Sequence, residues 1–285
     1  MAGSWAGALL GLLLCLPGNP LLAQQRIASL NLCTDLLLLE LVEPERIVSL
    51  SYWAADPDLS YLAERASGLT LNHSLVEEIV PQQPDLVLAG QYSDVQVVAL
   101  LRRLGYPVAV MDVPLTLAGM RAHILEFGEL VGEPERALAL ADQIDAGLAA
   151  AAPTLDSASR PLAAVYGPQG VSPGRDTLMN DLLYLAGYRN LAAELGVSSY
   201  GTLSLETLVR AEPDVLVLDN LANSGDSIAH RAMRHPVLRR QFAEAQLLHL
   251  PASLSVCVGP TVVTAVQRLV AGRPQVAVLE GAVGE

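Results

Sequence analysis

One phrase occurs twice in this chain: a glutamate, six residues, then Pro-Asp and an apolar run. It is read first as Glu77 to Pro84-Asp85-Leu-Val-Leu and again as Glu206 to Pro213-Asp214-Val-Leu-Val, an offset of 129 residues (206 − 77). In each copy the glutamate opens a short helical stretch. The proline, with no N–H to donate and a ring that clashes with the preceding turn, then ends it. The run that follows has the length and composition of a strand buried on both faces. A helix-then-strand unit repeated at this distance predicts two α/β lobes, and clefts between such lobes are where ligands bind.

The rest of the chain fits that frame. Strands are expected at Arg26–Asn31, Arg46–Ser51, Leu86–Ala89 and Val108–Met111, with Thr34 or Asp35 capping a Leu-rich helix through Leu41 and a further helix over Val95–Leu104. Strands alternating with amphipathic helices signal a parallel, doubly wound sheet. From Leu117 to Ala152 no strand pattern occurs. A helix runs to about Val131, Gly132 interrupts it, and a second helix starts near Pro134. Nineteen helical residues reach roughly 28 Å, enough to cross from one lobe to the other as a stiff connector. Leu162–Tyr166 then opens a second lobe, followed by helix Leu178–Ala186, the second repeat, helix Val237–Ala243, strand Leu247–Leu250 and a last helix from Thr261. The predicted fold is α/β, two doubly wound lobes with parallel sheets joined by one long inter-lobe helix. Its expected segments are a leader at 1–23, an N-terminal lobe at 24–115, connecting helices at 116–153 and a C-terminal lobe at 154–285.

Composition narrows the function. With 285 residues and 52% hydrophobic content, the chain can bury two cores. Its formal net charge of −13 and the absence of any basic run argue against a nucleic-acid partner. All 17 basic residues are arginine. Residues 1–23 are apolar and nearly uncharged, with Leu22-Ala23 before Gln24-Gln25 as a cleavage point, which reads as an export signal too short and interrupted to span a membrane. Beyond it only Cys33 and Cys257 remain, one per expected lobe. In an oxidising compartment they can pair; each can equally be a small buried hydrophobe.

Aromatic residues are few, so their placement matters. Tyr52, Trp53, Tyr92 and Tyr166 fall just after strands and Tyr200 just before the second repeat helix. Since the carboxyl ends of parallel strands form the ligand crevice, these five rings are expected to face one cleft and to suit a flat, apolar ligand. The competing explanation is that they pack locally as lids on the core. Arg175 is the polar contact expected beside them. Gly170-Val-Ser172-Pro173-Gly174 matches the G-x-S-x-G nucleophile elbow, but Pro173 has no N–H to offer an oxyanion, so a turn shaping the cleft is the better reading. The five histidines show no metal-ligand spacing, and no H-E-x-x-H, phosphate-loop or dinucleotide motif is present. Neither a catalytic residue nor a cofactor is therefore expected. His73, just before the first repeat helix, is the one histidine placed to serve as an axial ligand to a haem iron, against the blander reading of a solvated loop residue. Glu77 and Glu206 hold equivalent places in the two lobes. Helix-start carboxylates gain under about 1 kcal/mol from the dipole; the sharper reading is that the pair docks onto two arginines of a two-fold symmetric partner.

Together, Arg26-Ile-Ala-Ser-Leu-Asn, the two Glu…Pro-Asp repeats and Gly187-Tyr-Arg-Asn190 resemble the periplasmic binding proteins for cobalamin and ferric siderophores, the helical-backbone class that serves ABC importers. The resemblance covers nearly all of the chain beyond the leader. It implies a monomeric, non-catalytic periplasmic protein that delivers its ligand to an inner-membrane permease dimer, with Glu77 and Glu206 as the permease contacts and Tyr52 and Tyr200 at cleft aromatic positions. Leu71-Asn72-His73 stand where cobalamin binders carry a further tryptophan, and Leu254, with Cys257 nearby, replaces the aromatic of the last cleft loop. In that layout Cys33 and Cys257 both lie near cleft loops, as ligand-contacting thiols or as a cross-lobe disulfide. The alternatives are a haem-binding importer component and, from a different class, a two-domain α/β hydrolase or glycosyltransferase.

Overall fold

Both lobes are built around the first strand of each half, and the two halves repeat one another. The computed structural model describes residues 25–153, 160–220, 242 and 246–274; the expected leader and the expected helix at Val237–Ala243 lie outside these, apart from residue 242. The N-terminal lobe runs β1 (Ile27–Ser29), α1 (Leu32–Leu41), β2 (Ile47–Ser51), α2 (Ala63–Ala66), β3 (Leu71–Asn72), α3 (Val76–Ile79), β4 (Leu86–Gly90), α4 (Val95–Arg103) and β5 (Val108–Met111). Its five strands are all parallel, in the order β3-β2-β1-β4-β5. Helices α5 (Leu117–Val131) and α6 (Pro134–Ala151) follow. The second lobe comprises β6 (Leu162–Tyr166), β7 (Val171–Pro173), α7 (Leu178–Leu185), β8 (Arg189–Asn190), α8 (Leu191–Glu194), β9 (Tyr200–Thr202), α9 (Leu205–Ala211), β10 (Val215–Asn220), β11 (Leu247–Pro251) and α10 (Thr261–Ala271). Its parallel sheet has the order β11-β10-β6-β8, and β7 pairs antiparallel with β9.

Alternation along the strands divides the core into layers. Ile27, Leu86 and Leu88 of one sheet, with Ala163, Val165, Val215 and Val217 of the other, point into a single cluster that also holds residues of α1, α5, α6, α7 and α10. Neighbouring residues point the other way. Ala28, Val87 and Ala89 pack under Val76, Ile79, Val98 and Leu101 of α3 and α4, while Ala164, Tyr166, Leu216 and Leu218 pack with Leu191 and Leu208 of α8 and α9. Each sheet is thus covered on both faces, as parallel sheets require.

The long helix expected from Pro134 is present as α6 and crosses between the lobes, with α5 packed alongside it. The first N–H of α5, on Leu117, donates to Asp181 of α7 at 2.9 Å, so this helix starts against the second lobe. It ends at Gly132, whose φ of 75° the turn requires. There Arg46, 8% exposed, donates to the Val131 carbonyl and pairs with Glu133 at 2.6 Å, fastening the turn to the first lobe. Arg136 adds bonds to the Leu41 carbonyl and to Glu43. From that anchor α6 runs back to pack on α10, with Gly147 close against Val263. Both helices span the two lobes.

Candidate ligand-binding site

The loops that leave the carboxyl ends of the strands border a cavity of about 610 Å³, lined from the first lobe by residues after each of β1 to β5 and from the second by Tyr200, Val256 and Cys257. Local capping shapes each loop. Asn31 follows β1 and caps α1, its Oδ1 accepting from the Cys33 N–H at 3.0 Å. The expected caps Thr34 and Asp35 instead lie inside the helix and point into the core, Thr34 to Ser29 and Asp35 to Ser51. Gly90 ends β4 against Asn31, and a Cβ there would lie 2.9 Å from the Asn31 side chain. Asp94 caps α4 through Gln96 N–H at 2.7 Å and Ser93 Oγ accepts from Gly90 N–H at 3.0 Å, so the tight loop between them throws Tyr92 outward, 80% exposed.

Aromatic rings from both lobes meet here. Trp53, Tyr92 and Tyr200 line the cavity. Tyr52 sits behind Trp53 with ring centroids 4.1 Å apart and stacks on His73 at 4.9 Å. His73 Nδ1 lies 3.0 Å from Glu78, whose carboxylate also accepts from the His73 backbone N–H at 2.5 Å; these bonds hold the Glu78 carboxyl below its ordinary value. The remaining wall is mostly apolar, Leu30, Leu32, Leu59, Val113 and Leu115, with Asn31, Ser74, Ser93 and Asp94 as its polar side chains. Among the described residues no arginine or histidine lines this cavity.

The floor is a disulfide. Cys33, at the start of α1, is bonded to Cys257, just ahead of α10, with Cα atoms 5.2 Å apart, and both line the cavity. The cross-lobe pairing is therefore formed, and neither cysteine is a thiol available to ligand. Leu32, Leu36, Leu59 and Leu62 pack around it.

Two expected contacts are placed elsewhere. Tyr166 is 3% exposed and belongs to the outer core of the second lobe, where burial raises its phenol pKa. It is the last residue of β6 rather than a loop residue, and strand parity turns its side chain away from the cleft. Arg175 is exposed and does not line the cavity; its backbone N–H donates to the Val197 carbonyl beside the antiparallel β7–β9 pair that carries Tyr200. Ser172, the elbow candidate, is fully buried in β7, where no nucleophile could reach a substrate. Sequence reasoning passed over Asn31, Ser93 and Asp94, although their positions directly after β1 and β4 are a usable signal.

Glu77 and Glu206 occupy the first turns of α3 and α9, both exposed, Glu206 with Arg210 at 2.9 Å. The chain takes a left-handed residue immediately before each proline, Gln83 after the short 3-10 turn that follows α3 and Glu212 at the end of α9. Among the described residues no group of three or more His, Cys, Asp or Glu could hold a metal ion, and no helix is long and apolar enough to cross a membrane.

Comparison with known proteins agrees with this architecture. The chain is 29% identical over 210 residues to a cobalamin-binding protein of Halobacterium salinarum, an alignment that takes in 72% of this chain and 56% of the relative. The chain thus spans little more than half the length of that relative. Among solved structures, the periplasmic heme-binding protein RhuT from Roseiflexus sp. RS-1 superposes with a TM-score of 0.70 at 25% identity, covering 87% of this chain and 97% of that one. The vitamin B12 binding protein BtuF of Vibrio cholerae shares the fold at a TM-score of 0.61 and 19% identity, over 87% and 96% of the two chains. A family model described as periplasmic binding protein matches residues 27–246, and with two lobes, paired glutamates and an aromatic cleft in place, the chain belongs to the periplasmic binding protein family.

Proposed function

We propose that this protein is the exported substrate-binding component of an ABC importer and that its cargo is a cobalamin-like corrinoid held between the lobes. The observation that carries the reading is the cavity wall: three aromatic rings and an apolar lining, with no basic side chain among its described residues. A haem brings two carboxylates and many ferric siderophores are anionic; enclosing those charges without cations is costly. A corrinoid presents a neutral, amide-rich rim that Asn31, Ser93 and Asp94 suit. Tyr52 backs Trp53. Delivery is assigned to Glu77 and Glu206, one on each lobe, docking on the permease dimer.

Calorimetric titration of the leader-free protein with cyanocobalamin tests this. The expected result is submicromolar binding, about −8 kcal/mol or better. No heat at saturating ligand removes cobalamin and turns the search to ferric siderophores and haem.

A haem-binding reading has one observation in its favour. Glu78 accepts from His73 Nδ1, which leaves Nε2 as the ligating atom and strengthens it as a donor. On that reading the protein mixed with haemin shows a Soret shift that His73→Ala abolishes.

A further inference from the structure

The ligand cavity has walls from two lobes and a floor made of one covalent bond. Trp53 and Tyr92 stand on the first lobe, Tyr200 on the second, and the Cys33–Cys257 disulfide joins the lobes between them. The other inter-lobe contacts, the packing of the α5–α6 helix pair and the shared apolar cluster, are non-covalent; the cluster reaches the cavity loops at Ala54 and Val258, beside Trp53 and Cys257. Cys257 is also held by packing, 4% exposed and surrounded by Leu32 and Leu36 of the first lobe.

We propose that the Cys33–Cys257 disulfide is a positioning element of the cleft: it fixes the span between the Trp53–Tyr92 wall and the Tyr200 wall, so that the cavity keeps its binding shape while empty. Its sulfurs supply span rather than affinity. A pre-shaped cavity avoids the ordering cost of bringing the two walls together on binding, and that saving shows mainly as slow dissociation. The affinity part of the proposal rests on the corrinoid reading above; the geometric part does not.

Two measurements on one pair of proteins test it. Spin labels attached through a maleimide at Ala99→Cys on α4 and Leu195→Cys after α8, both exposed sites, report the distance between lobes with the native disulfide present or replaced in Cys33→Ser/Cys257→Ser. The expected result is a narrow distance distribution with the bond and a clearly broader one without it. For cyanocobalamin, the unlabelled double-serine protein is expected to bind about tenfold more weakly, with the change in the dissociation rate and the association rate nearly unchanged. Equal distribution widths overturn the proposal, as does unchanged affinity. If the disulfide-bonded protein binds no cyanocobalamin, the ligand assignment fails and the distance widths alone decide the staple. Should the double-serine protein not fold, the same distance comparison is made on the labelled protein treated with a water-soluble phosphine. That reagent converts the disulfide to two thiols and is itself oxidised to the phosphine oxide, with the oxygen taken from water.

Discussion

Asp35 is a carboxyl with no access to water, in the same first turn of α1 as the disulfide-bonded Cys33. Burial is the largest influence on it and raises its pKa to about 7, against smaller downward pulls from Ser29 and Ser51, the latter donating both its N–H and its hydroxyl. Because the folded value lies above the unfolded value of 3.8, the native state keeps a proton that the unfolded chain gives up. Its effect on stability is therefore most favourable below pH 4, declines as pH rises toward 7 and is fully unfavourable above that, by up to about 4 kcal/mol. Asp35→Asn keeps an acceptor for the Ser51 N–H and cannot ionise. In urea titrations from pH 4 to 8 the stability advantage of this variant over the wild type is expected to grow with pH. Parallel curves would mean the carboxyl titrates near its ordinary value.

The repeated Pro-Asp explains how each sheet is seeded. Asp85 accepts from Arg26 N–H at 2.8 Å and returns its own N–H to the Arg26 carbonyl at 2.8 Å; Asp214 does the same with Leu162, at 2.7 and 2.9 Å. The aspartate of each copy thus clips its strand to the strand that begins the lobe. Asp85→Ala and Asp214→Ala are each expected to lower stability by about 1–2 kcal/mol, read as a reduced urea midpoint with no change in slope. The repeat and its strands were legible because proline and a short apolar run act locally. The clip was not, since its partners lie 59 and 52 residues away. The same division holds at the cleft: Trp53, Tyr92 and Tyr200 could be placed from their loops, whereas Tyr166 needed strand parity, and Asn31 reads from sequence as the end of the first strand. The glutamates that open α3 and α9 carry the delivery prediction. Glu77→Ala/Glu206→Ala is expected to abolish importer-dependent uptake while leaving ligand affinity intact, measured by uptake and titration side by side; a loss of affinity sinks the docking assignment.

On the scale of the whole molecule, one apolar cluster runs through both lobes, so they are expected to unfold together in a single thermal transition. The disulfide spans a sequence separation of 224 residues, and closing so long a loop restricts the unfolded chain by about 5 kcal/mol. Scans of the wild type with and without reductant are expected to show one transition each, the reduced form melting about 10–20 °C lower. That bond also makes nearly all of the folded chain a ring. A protease that cuts one peptide bond anywhere between Cys33 and Cys257 opens the ring without releasing a piece, so nicked protein should migrate as one species until its disulfide is reduced, and both halves of the cleft stay in the same particle after the first cut.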